Sequence, residues 1–302
     1  MLKSPLTEFS GLKIKHILLC SLLFGLLWRS GHVLNKMEEF SYITQKNIRY
    51  SFTVRNTTSC LQKNIFLEVC TPIERTGTQI RTTIDASHPY RFATDSAGNE
   101  VLRFALGHIP PYASEIISIH TRMRVSRQAQ AIPIDTARPR YLDPQLYVES
   151  DDPQIEAAAR SLRRAHMEDT AKSIFQWVSR HITEHKYMGR EKGALYAFQN
   201  RRGDCTEYAD LFAAMCRAVD IPCRRVGGWI CRESCVLAPS GYHNWAQFYM
   251  NGRWHLADPQ KKVFMKNPGD YISMRIAGGP GEDGRGLHRF RVEGEGISAK
   301  MN

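Results

Sequence analysis

The 302-residue chain lacks several features that would have settled its chemistry early. It has no apolar run of the ~18 residues a membrane-crossing helix needs, since the longest, residues 17–28, is interrupted by Ser21 and Gly25. It has no D-x-D-x-D-G loop, so no EF-hand calcium requirement is indicated. Cys216, Cys223, Cys231 and Cys235 lack paired short C-x-x-C spacings, which argues against structural zinc, and no metal or cofactor site is expected. No internal repeat is present. Acidic residues are under-represented, 30 against 41 Lys and Arg, for a net charge of +11 and a pI near 9.3. With no nucleic-acid motif to organise it, that basicity reads either as attraction to an anionic membrane or envelope surface or simply as a solvated, arginine-rich exterior; specific nucleic-acid binding is not expected.

What is present suggests a globular protein with a distinct front end. At 42% hydrophobic and 24% charged there is enough apolar material for sizeable cores, and the length suggests about two domains. In residues 1–36, Lys3, Lys13 and Lys15 precede the apolar run, the pattern of a secretory signal sequence or membrane anchor. Trp28, Arg29 and His32 stand where a cleavage site wants small residues, so an uncleaved anchor is as open as a removed leader. Leu19 before Cys20 is too bulky for a lipoprotein signal. The expected location is outside the cytoplasm or at a membrane, in a bacterium the periplasm or envelope. Export would leave Cys60, Cys70, Cys205, Cys216, Cys223, Cys231 and Cys235; with Cys205 free, the rest allow up to three disulfides in fifteen connectivities. Unpaired buried thiols are the plainer alternative.

Residues 37–127 alternate apolar and polar positions, as in Ile48, Tyr50, Phe52 and Val54, in Ile65, Leu67 and Val69, and in Ile117, Ile119, Thr121, Met123 and Val125. This predicts a small antiparallel β-sandwich. Residues 128–150, with Pro133, Pro139 and Pro144, read as a linker. A second domain then spans 151–276, its first helix capped by Asp152 with Pro153 in the first turn and its second opened by Asp169. Residues 277–302, glycine-rich at 278–286, read as a flexible tail.

The chemistry concentrates in the second domain. Asp204 and Glu207 form a capping box around Cys205, with Ala209, Phe212, Cys216 and Val219 at helical spacing. Cys205 therefore takes the first helical position, where unpaired amides and the helix dipole favour a thiolate. Further on, Asn251-Gly252 predicts a two-residue hairpin turn. That turn pairs Met250 with Arg253, Tyr249 with Trp254 and Gln247 with Leu256, which sets His243 and Asp258 diagonally on one face, within side-chain reach. A thiol at a helix start, an imidazole and a carboxylate are the parts of a nucleophile, base and orienter set.

Three blocks resemble the transglutaminase-like superfamily of papain-type thiol enzymes: residues 202–209 around Cys205, Gly241-Tyr242-His243-Asn244-Trp245-Ala246, and residues 252–259 ending in Asp258-Pro259. Asn244 and Gln247 depart from the commoner small and acidic residues there. The resemblance implies an α+β fold with a papain-like transglutaminase core, in which a helix bundle carrying Cys205 packs on an antiparallel sheet carrying His243 and Asp258. Residues 104–111 resemble the β-domain that often precedes this core in bacterial members. The implied catalytic set is Cys205, His243 and Asp258, acting on amide bonds of a protein or peptide substrate through a thioester. Hydrolysis is preferred over cross-linking to amines, arylamine acetyl transfer is disfavoured for want of a coenzyme A pocket, and a non-catalytic envelope binding or assembly module is the alternative outside enzymology. The Cys205 backbone amide is one candidate oxyanion donor; Gln199 and Tyr187 are candidates for a second, but a plain polar loop residue and a packed aromatic suit them better.

Overall fold

The computed structural model describes residues 41–94, 99–132, 141–186, 189, 191–277 and 289–302. The leader at 1–36, the linker stretch 133–140, Tyr187 and the glycine-rich run 278–288 lie outside the described residues.

Period-two patterning builds the N-terminal half. Strands β1 (Thr44–Asn56), β2 (Gln62–Cys70), β3 (Gln79–Ala86), β4 (Tyr90–Thr94), β5 (Glu100–Ile109) and β6 (Ser114–Val125) form most of two facing sheets. Ile48, Tyr50, Phe52 and Val54 of β1 turn inward onto Ile65, Leu67 and Val69 of β2 and Ile117, Ile119 and Met123 of β6, all essentially buried. Each such side chain withdrawn from water contributes about 1.5–3 kcal/mol toward offsetting chain entropy.

The second half begins with helices. In α1 (Pro153–Ser161) the Asp152 carboxylate accepts from the amides of Gln154 and Ile155, as the sequence predicts. Helix α2 (Met167–His181) starts earlier than Asp169; His166 occupies the cap position without a side-chain bond, and Asp169 sits with Glu168 in the first turn. The turn ahead is closed instead by the Thr170 hydroxyl, which accepts from the Arg164 amide at 2.9 Å. A short parallel pair, β7 (Thr183–Glu184) and β8 (Arg202–Gly203), brackets α3 (Gly193–Asn200) and leads directly into α4 (Cys205–Arg217).

Helix α4 is buried along nearly its whole length and lies on an antiparallel sheet. That sheet runs β13 (Val263–Phe264), β12 (Arg253–Asp258), β11 (Tyr242–Met250), β9 (Cys223–Ile230) and β14 (Tyr271–Ala277), with the two-residue β10 (Cys235–Val236) lying outside it. Phe212 and Met215 of α4, Ile174 and Val178 of α2, and Ala246 and Phe248 of β11 share one core. Across the helix–sheet seam Arg225 donates to the Asp210 carboxylate at 2.8 Å and also to Glu191. The architecture is α+β: a helical layer on an antiparallel sheet, preceded by a β-rich half.

One expectation is corrected. Residues 277–302 are not a free tail throughout, because β15 (Phe290–Glu293) pairs with β2 and β16 (Ile297–Met301) pairs with β1, both antiparallel. Ile297, Ala299 and Met301 alternate and pack on the sandwich core, and Gly296, at φ +61°, makes the turn between the strands where a Cβ would meet the Thr58 side chain at 2.1 Å. Strand β16 thus returns to pair with β1, the first strand of the described residues.

Candidate active site

Cys205 owes its position to the cap in front of it. The Asp204 carboxylate accepts from the Thr206 amide at 2.9 Å, and the Glu207 carboxylate reaches back to the Asp204 amide at 2.9 Å, completing the capping box read from the sequence. Glu207 also accepts from the Lys192 amide at 3.1 Å, which ties the entry of α3 to the start of α4. Burial, with the Asp204 carboxylate beside it, pushes the Glu207 carboxyl up to about 7.

Strand β11 comes to the sulfur from the other side. The Asn244 backbone amide and the Thr206 hydroxyl stand beside Cys205 and favour its thiolate. The Thr206 hydroxyl in turn accepts from Asn244 Nδ2 at 2.8 Å. The sulfur therefore stands beside the residue next to His243.

The hairpin has the expected register: Met250 opposite Arg253, Tyr249 opposite Trp254 and Gln247 opposite Leu256. Asn251 and Gly252 take φ of +50° and +76°, the left-handed pair that a two-residue hairpin turn demands. His243 Nε2–H donates to Asp258 Oδ2 at 2.7 Å, both residues being buried. A carboxylate only accepts, so this bond puts the proton on Nε2 and leaves the Nδ1 lone pair as the imidazole's base. Asp258 is itself held twice more, Oδ2 accepting from the Tyr271 hydroxyl at 2.9 Å and Oδ1 from the Lys261 amide at 3.1 Å.

Close approach of strands seats His243. Gly228 pairs with His243 and Gly227 with Asn244. A Cβ on Gly228 would fall 2.0 Å from the Ile272 carbonyl oxygen, and one on Gly227 would fall 2.1 Å from the Tyr242 hydroxyl. Trp245, fully buried, lies against the His243 ring at 6.4 Å between centroids and meets Tyr271 edge-on at 5.1 Å.

The electrostatics differ from the sequence reading at the sulfur. The helix start was expected to favour thiolate, but burial, followed by the Asp204 carboxylate, pushes the Cys205 thiol up to about 12, against the lowering effect of its Asn244 and Thr206 hydrogen bonds. Desolvation of a small anion outweighs the helix end here. The environment of the sulfur therefore favours the thiol over the thiolate.

Cys205, His243 and Asp258 are thus brought to one place, joined by Thr206, Asn244, Lys261 and Tyr271, which sequence reasoning did not single out as site residues. Thr206 and Asn244 follow directly on Cys205 and His243 and were findable by adjacency. Tyr271 was not, because it arrives on β14, whose ladder partner is β9 rather than the hairpin. Gln199 is exposed near the end of α3. Among the described residues no cluster of three or more His, Cys, Asp or Glu side chains could hold a metal ion, and no helix is long and apolar enough to cross a membrane.

Comparison with known proteins converges on the same region. Residues 156–259 match the model of the transglutaminase-like superfamily. Over 108 residues the chain is 28% identical to human kyphoscoliosis peptidase and 29% identical to its mouse counterpart, an alignment that covers 32% of this chain and spans 16% of the length of each relative. Among solved structures, a protein from Cytophaga hutchinsonii described as a candidate cysteine protease superposes with a TM-score of 0.57 at 13% identity, over 86% of this chain and 92% of that one. The periplasmic domain of TgpA from Pseudomonas aeruginosa gives a TM-score of 0.41 at 18% identity, over 71% and 88%. The first of these structures shares the fold, and it is residues 156–259 that match the transglutaminase-like superfamily.

Proposed function

We propose that the protein is a thiol hydrolase of amide bonds in protein or peptide substrates, with Cys205 as nucleophile, His243 as base and acid, and Asp258 as orienter. The observation that carries this reading is the buried 2.7 Å bond from His243 Nε2–H to Asp258, with the next residue, Asn244, bonded at 2.8 Å to Thr206 beside the sulfur. His243 Nδ1 takes the Cys205 proton as the sulfur attacks the carbonyl carbon. Asp258 stabilises the imidazolium so formed. The oxyanion is met by the Cys205 amide at the helix start. Collapse breaks the C–N bond, His243 returns the proton to the departing amine, and a thioester remains on Cys205. Water, activated by the same imidazole, attacks the thioester and regenerates the thiol. Members of this superfamily that transfer the acyl group to an amine use the same first half, and hydrolysis is favoured here because water is always at hand and no amine-acceptor site is marked.

The test measures alkylation of Cys205 against pH and product formation together. With its thiol pushed up, Cys205 alone should label faster as pH rises through the alkaline range; labelling near neutrality should depend on His243. His243→Ala should therefore slow neutral labelling and reduce turnover about 10²–10⁴-fold, and equal labelling in both proteins would sink the reading. New termini or ammonia from candidate peptides mark hydrolysis, whereas incorporation of a tagged primary amine marks transfer. On the sequence of residues 1–36 we also place the protein outside the cytoplasm or at a membrane, which cell fractionation with N-terminal sequencing checks.

A further inference from the structure

Two cysteines that the proposed reaction does not use lie in contact on the segment between β9 and β11. Cys231 Sγ and Cys235 Sγ are 2.9 Å apart and share a hydrogen bond. A disulfide needs about 2.05 Å between sulfurs, so the pair is within a small side-chain adjustment of bonding. The surroundings are asymmetric: Cys231 is buried, while Cys235 is partly exposed. Lys46, itself buried, stands over the pair, its Nζ donating to the Cys231 carbonyl at 2.5 Å and to the Gly269 carbonyl at 2.8 Å. The backbone on both sides is fixed, by the Cys231 amide donating to the Asp270 carbonyl at 2.7 Å and by Cys235 and Val236 pairing with Ile48 and Arg49 of β1.

We propose that Cys231 and Cys235 are a modification site, a reversible dithiol–disulfide couple in which Cys235 is the attacking thiol and Cys231 the resolving one. The hydrogen bond from its neighbour and the ammonium of Lys46 favour the thiolate at Cys235, opposing its desolvation, and exposure gives that sulfur access to the oxidant. The oxidant class is a small-molecule disulfide, of which oxidised glutathione is the example. Cys235 thiolate attacks one sulfur, forming a mixed disulfide and releasing one glutathione thiolate. Cys231 then loses its proton and attacks Cys235 Sγ, expelling the second glutathione. Two electrons and two protons pass from the protein pair to the glutathione pair. The bond staples the segment that leaves β9 and returns as the strand carrying His243.

The experiment equilibrates the full chain in graded mixtures of reduced and oxidised glutathione, blocks free thiols under denaturing conditions, then reduces and adds a second label for peptide mass spectrometry. Cys231 and Cys235 should exchange labels together in one reversible transition, with Cys235→Ser returning Cys231 to the free-thiol label at every ratio. The exposed Cys60 serves as the comparison, since a lone thiol there stops at a mixed disulfide with glutathione. A stable glutathione adduct on Cys235, independent titration of the two cysteines, or pairing of either with another cysteine would overturn the proposal. The readout concerns neither Cys205 nor turnover, so it stands or falls apart from the proposed hydrolysis.

Discussion

Asp258 holds three hydrogen bonds, and only one of them goes to His243. The Tyr271 hydroxyl shares Oδ2 with the imidazole and so fixes the angle at which the carboxylate meets it. Tyr271→Phe keeps the ring's edge contact with Trp245 and deletes only this donor. The loss of one buried bond to a charged acceptor should cost about 1.5–3 kcal/mol of stability. In the proposed reaction Tyr271 would act through Asp258, so kcat should fall about tenfold, ~1.4 kcal/mol of barrier, with KM nearly unchanged; an unchanged kcat at the reduced stability would show a purely structural role. At this scale the sequence was legible wherever a residue's task follows from its immediate neighbours. Cys205 could be placed by its capping box, and His243 and Asp258 by counting back from one turn. The sulfur's protonation could not be read the same way, because desolvation depends on everything packed around it, and that is a property of the folded site.

Glycines separate what an element needs of its backbone from what it needs of its neighbours. Gly252 sits at φ +76° with nothing within 4 Å of an added Cβ, so Gly252→Ala meets only the left-handed backbone penalty, about 1–2 kcal/mol. Gly228 has ordinary backbone, yet its Cβ would fall 2.0 Å from the Ile272 carbonyl oxygen and 2.9 Å from the Trp245 ring. Gly228→Ala must push β14 from β9 and tilt Trp245 away from His243. Urea unfolding should therefore show a modest loss for the first variant with alkylation of Cys205 unaltered, and a larger loss for the second with that alkylation disturbed; equal losses would refute the distinction. Element patterning was readable in the long strands, where apolar residues at every second position turned inward as predicted. It was not readable in β15 and β16, which are short, follow a glycine-rich run, and become strands only because β1 and β2 offer them open edges.

At the level of the whole molecule, the two halves share a core, so dividing the chain at a linker understates how it is held together. Trp229, Leu237, Ile272 and Met274 from the second half pack with Ile48, Phe52 and Met123 of the sandwich, and β10 and β16 add strands to β1 from far along the chain. Lys46 is the polar part of this seam. It is 2% exposed, and besides the two carbonyls it pairs with Asp270 at 3.2 Å. An ammonium so buried survives because three acceptors replace its water, and Lys46→Met would strand those acceptors without a donor. Removing one member of a buried charged set costs about 3–5 kcal/mol; Asp270 is partly exposed and can rehydrate, which places this case near the lower end. Since β1 and the segments at 231 and 269–270 meet at that ammonium, the loss should lower the stability of both halves together. Thermal unfolding followed by far-UV and near-UV circular dichroism should give coincident transitions in the native chain, displaced jointly to lower temperature in Lys46→Met. Two separated transitions in the native chain would mean that the halves fold independently and that the shared apolar seam contributes little to holding His243 and Asp258 against Cys205.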